Sequence, residues 1–88
     1  MSLRILKWPM KVVDVQSVKI PVFARILTVQ TQNDLPQLWV LCDESEDVER
    51  RTFVTYGTGR RMSEDPGEYV GTYQMLGGSL VYHVFEKR

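Results

Sequence analysis

The stretch Tyr69-Val-Gly-Thr-Tyr-Gln-Met-Leu-Gly-Gly-Ser-Leu-Val-Tyr-His-Val-Phe-Glu86 constrains the fold more than any other part of the chain. Two runs rich in Val, Tyr, Phe and Thr flank Gly77-Gly78, and glycine supplies the positive φ angles that tight hairpin turns of types I′ and II′ require. A β-hairpin with a defined register is therefore expected. Tyr73 should oppose Tyr82, Met75 oppose Leu80 and Gly71 oppose Val84 on one face. On the other face Thr72 should oppose His83, Gln74 oppose Val81 and Val70 oppose Phe85.

The same grammar recurs upstream. Arg4–Trp8 is apolar enough for a short strand stopped by Pro9. Lys11–Ile20 holds the β-branched segments Val12-Val13-Asp14-Val15 and Ser17-Val18-Lys19-Ile20, with a bend near Asp14 and Gln16 and an end at Pro21. Arg25–Thr31 and Gln37–Asp43 form a second expected hairpin, separated by residues that favour turns. A two-residue turn at Asn33-Asp34 would pair Val29 with Leu38, Leu27 with Val40, Thr28 with Trp39 and Ile26 with Leu41; a longer loop would alter these pairs. Leu38, Val40 and Cys42 then share one face, with Trp39 and Leu41 on the other. Both faces are apolar, as in a strand pair buried on two sides.

Glu44–Arg51 interrupts the pattern. Glu46/Arg50 and Asp47/Arg51 stand four apart and could support one helical turn, but a solvated connection is the simpler expectation. Thr52–Tyr56 resumes as a strand, and Gly57–Gly67 is the longest break. The whole is expected to be a single all-β domain spanning residues 1–88, with residues 1–3 a cloning remnant. Its form should be a compact sandwich or partly closed small barrel of six or seven mostly antiparallel strands.

Composition narrows the function classes. A hydrophobic fraction of 43% with 10% aromatics suits a folded globule rather than a disordered tail. Eleven basic residues balance eleven acidic ones, which counts against nucleic acid as a partner, though a local basic patch stays open. No apolar run approaches the roughly 20 residues of a bilayer span, no signal peptide is visible, and one cysteine fits a reducing compartment. A cytoplasmic protein without membrane contact is the expectation. With no disulfide, 88 residues need a well-packed core or a partner chain, so a homodimer is expected.

No catalytic, metal or cofactor signature emerges. One Cys and one His cannot build a structural zinc site. His83 is expected to be a packed polar residue beside Thr72 and Gln74, and a Cys42–His83 nucleophile pair is the weaker alternative. Gly57-Thr58-Gly59-Arg60-Arg61 has the flexibility and charge of a phosphate loop. It lacks the following helix and the Lys-Ser/Thr pair, so a flexible hairpin connection is the plainer reading. It remains the best candidate for a binding loop. Asp43, Glu44, Glu46, Asp47 and Glu49 read as a solvated acidic loop rather than catalytic carboxylates. Arg50-Arg51 and Arg60-Arg61 around Phe53 and Tyr56 loosely suggest a stacking surface with a basic rim. The candidate binding residues are Tyr56, Arg60, Arg61 and His83.

Lys7-Trp8-Pro9, Ala24–Gln30, Pro36–Trp39, Tyr56–Gly59, Tyr69–Gln74 and Gly77–Glu86, in this order, resemble a family of small bacteriophage and prophage proteins. The resemblance implies a compact fold and an origin, and it supplies no site residue. The leading expectation is a non-enzymatic module binding a protein partner. The alternatives are a structural protein acting as its own oligomer, or a binder of nucleic acid or a small ligand through Tyr56–Arg61.

Overall fold

Apolar residues at every second position bury one side of each strand, and two sheets result. The computed structural model describes residues 2–87. Its strands are β1 (Arg4–Pro9), β2 (Val15–Pro21), β3 (Arg25–Gln32), β4 (Leu35–Cys42), β5 (Val48–Gly57), β6 (Glu68–Met75) and β7 (Leu80–Lys87), with a 3₁₀ turn over Leu76–Gly78. The sheets run β1-β4-β3 and β2-β5-β7-β6, antiparallel at every pair. They form a sandwich, not a closed barrel. The Cα extents of 42 × 31 × 15 Å leave room for two layers and no more.

The core lies between the layers. Val29, Leu38 and Val40 from one sheet and Ile20, Phe53 and Val84 from the other are fully buried. Each such side chain contributes about 1.5–3 kcal/mol relative to exposure. Strand β6 packs against β3, and Gly71 permits it: a Cβ there would stand 3.0 Å from Val29 Cγ1. At one end of the sandwich Arg51 and Glu86 make a largely buried bidentate pair, Nε–Oε2 at 2.5 Å and Nη2–Oε1 at 2.7 Å. Arg51 Nη1 also donates to the Ala24 carbonyl at 2.7 Å, which ties the β2–β3 turn to the four-stranded sheet.

Both expected hairpins form, each with a correction. Asn33-Asp34 is the β3–β4 turn, with φ of 52° and 61°. It pairs Val29 with Leu38 and Thr28 with Trp39 as expected, but Leu27 bulges out, so Ile26 faces Val40 and Arg25 faces Leu41. In the terminal hairpin every pair from Gly71–Val84 to Met75–Leu80 holds. Beyond it, a shift at Val70 brings Tyr69, not Val70, opposite Phe85.

Three other expectations fail. Val12–Asp14 forms a bend rather than a strand. Val48–Arg51 is neither solvated loop nor helical turn: it is the first part of β5, paired with Val18–Pro21. Charged residues extend that strand because β2 supplies the hydrogen-bonding partner. The β3–β4 pair is covered on one face only, for Trp39 and Leu41 are half-buried and Leu27 is 39% exposed.

Candidate binding site

Strand β7 is antiparallel to both β5 and β6 and lies between them, so β5 and β6 point the same way. The chain leaving Gly57 must therefore return along the length of β7 before β6 can start. Residues 58–67 form this strap, which is a crossover and not the flexible hairpin connection expected. It passes over the outward face of the sheet, where Met62 and Arg60 enclose a cleft of about 360 Å³ with Tyr69, Thr72, His83 and Phe85. Gly67 anchors its far end: φ is 97°, and a Cβ would lie 2.2 Å from the Glu86 carbonyl oxygen.

On this face Tyr56 is directly opposite His83, which is opposite Thr72. The His83 ring is held on both sides, with Nε2 2.7 Å from Thr58 Oγ1 and Nδ1 2.9 Å from Thr72 Oγ1. Thr72 also meets the Tyr69 hydroxyl at 2.6 Å. One chain of hydroxyls thus orients an imidazole and a phenol. Phe85 lies between two tyrosines in edge-to-face contact, with centroids 5.9 Å from Tyr56 and 5.4 Å from Tyr69. His83 is the packed polar residue of the sequence reading, beside Thr72. Cys42 does not join it: the thiol is buried in the other sheet, and burial followed by Glu44 and Asp43 raises its pKa.

A second cleft, of about 890 Å³, opens on the other side of Tyr56 and is lined by Val13, Val15, Gly57, Arg61 and Tyr82. Arg60 borders both clefts. The four residues singled out from the sequence, Tyr56, Arg60, Arg61 and His83, thus meet at one corner. The Arg60 amide donates to the Gly57 carbonyl at 3.1 Å, and neither guanidinium group has a hydrogen-bond or ion-pair partner among the described residues. Phe53, by contrast, points inward and is fully buried, and Arg51 is committed to Glu86, so neither belongs to a stacking surface. The rings beside Tyr56 on the outward face are Phe85 and Tyr69. Sequence reasoning missed Tyr69 because an unbroken register puts it on the inward face; the bulge at Val70 turns it outward.

Family comparison accounts for the whole chain. A model of the family described as Domain of unknown function (DUF7352) matches residues 1–88. The chain belongs to that family. No curated protein matches it, and no solved structure does. Among the described residues no helix is long and apolar enough to cross a membrane. Nor do those residues hold a group of three or more His, Cys, Asp or Glu suited to a metal ion.

Proposed function

We propose that this DUF7352 domain is a non-enzymatic binding module of phage or prophage origin, working through the outward face of its four-stranded sheet. The observation that supports it is the corner at Tyr56, where two clefts, an edge-to-face aromatic triad and two guanidinium groups without a partner among the described residues meet. Both ring nitrogens of His83 are held by threonine hydroxyls, which fixes the imidazole within this surface. The resemblance of Lys7–Glu86 to small phage proteins supports the origin. Capture from cells of the natural host tests the module. The wild type should retain a macromolecule that the Arg60→Ala/Tyr69→Ala variant, melting at the same temperature, releases. Identical captures from both proteins would rule the surface out.

Self-association is a second reading, and a different observation favours it. Strands β3 and β6 close one side of the sandwich against each other, while β1 and β2 are hydrogen-bonded on one side only. Ile5 and Val15 on those strands are each 61% exposed. A two-fold pairing of such edges is a common remedy for their tendency to aggregate. Sedimentation at about 100 µM, a protein-rich condition, should give the mass of a dimer; a monomer would refute it.

A further inference from the structure

We propose that the outward face of the four-stranded sheet binds single-stranded nucleic acid, Tyr56 and Tyr69 stacking on bases while cations at both ends of the face hold phosphates. This rests on the binding-module reading and gives that module its ligand class.

The chain is neutral overall, but the fold separates its charges. Lys19 on β2, Arg50 on β5 and Lys87 on β7 occupy outward positions at one end of the sheet, and Arg60 and Arg61 border the clefts at the other. The carboxylates of these four strands are Glu49, Glu68 and Glu86. All take inward positions, Glu49 opposite the buried Ile20 and Glu68 opposite Glu86. The strap carries its own acids, Glu64 and Asp65.

Lys19 stands directly opposite Arg50, and neither has an ion-pair partner among the described residues. Like charges placed so are destabilising, and a polyanion relieves the repulsion. Between the charged ends the surface is Val15, Val54, Phe85 and Tyr69, with Val15 61% and Tyr69 57% exposed. Arg50 to Tyr56 spans about 20 Å along the strand. The exposed Tyr69 and the half-buried Tyr56 and Phe85, between two sets of cations, suit unpaired bases on a phosphate backbone, since every base offers a face to stack and a duplex offers none. An acidic protein would match the cations but leave the rings unexplained.

Fluorescence anisotropy with labelled single strands of about 12 nucleotides, deoxythymidine and uridine homopolymers, tests this against a duplex of equal length. Single strands should bind more tightly than duplex. With about four phosphates neutralised, affinity should fall about fifty-fold when salt rises fourfold. Tyr69→Ala should weaken binding about tenfold. Lys19→Glu separates binding from folding: it should lower affinity at least as much while raising the melting temperature by about 2–4 °C, because the repulsion across from Arg50 becomes an attraction. Absence of binding, equal affinity for duplex, or an unaffected Tyr69→Ala variant would overturn the assignment. A protein captured by the wild type and lost from the Tyr69→Ala variant, with no oligonucleotide bound, would overturn it too and leave the binding module standing.

Discussion

Tyr73 is 4% exposed, and its hydroxyl has no hydrogen-bond partner among the described residues. The ring earns its place by packing: it lies 5.4 Å from Tyr82 between the sheets. An unpaired buried hydroxyl costs about 1–3 kcal/mol, so Tyr73→Phe should stabilise the domain by about 1 kcal/mol in urea titrations. Burial, then the neighbouring Tyr82, raises the Tyr73 pKa. A raised pKa means stability that is complete below the unfolded value, about 10, and lost as pH rises through the folded one. Asp43 has the opposite sign. The Ser45 hydroxyl at 2.6 Å and the Ser45 amide at 3.0 Å donate to its carboxylate and lower its pKa. That contribution is complete above about pH 4 and lost on acidification. Melting temperature against pH should fall at both extremes; Tyr73→Phe should flatten the alkaline limb and Asp43→Asn the acid one.

The turns and bulges carry the fold's specificity. Gly77 and Gly78 have φ of 64° and 94°, and Leu76 before them has 52°, so the whole turn is left-handed. Replacing both glycines by Val should cost about 2 kcal/mol. Gly67 is more demanding, because its missing Cβ clears a backbone carbonyl rather than open solvent. Gly67→Ala should cost about 3 kcal/mol or more in urea titrations. Gly59→Ala, on the same strap with φ of 87° and nothing within 4 Å, should cost about 1 kcal/mol. Similar losses at the two positions would show that the strap is not anchored at its far end. In the other hairpin Asp34→Gly should stabilise by about 0.5 kcal/mol, since a type I′ turn favours Asn-Gly.

Across the whole molecule the Arg51–Glu86 pair joins β5, β7 and the β2–β3 turn. Side-chain exposures of 15% and 8% leave little water to replace a lost partner. Glu86→Gln should therefore destabilise by about 3 kcal/mol, as is usual when one member of a buried pair is removed. Removing both charges, in Arg51→Met/Glu86→Leu, should recover most of the loss. A double variant as unstable as the single one would mean that the ion pair itself, and not the orphaned charge, sets the energetics. Neither change touches the outward face, so binding there should persist in whatever fraction stays folded.

Local pattern was enough for most of the strands, for the two turns and for the facing of Leu38, Val40 and Cys42, because alternation and turn chemistry act over a few residues. Tyr56, Arg60, Arg61 and His83, chosen on residue type and spacing, are brought to one corner by the fold. The two bulges were invisible, since nothing in Ile26–Thr28 or Tyr69–Gly71 marks an extra residue until a partner strand is in place. Val48–Arg51 looked like loop for the same reason: its charges are compatible with a strand only when β2 lies beside it. The neutral composition says equally little about where the charges lie. Eleven cations and eleven anions cancel along a line, but pairing registers assign each to a face, and faces are set by contacts between residues distant in sequence. Tyr69 beside Phe85, Lys19 across from Arg50 and the strap over His83 all arise from such contacts.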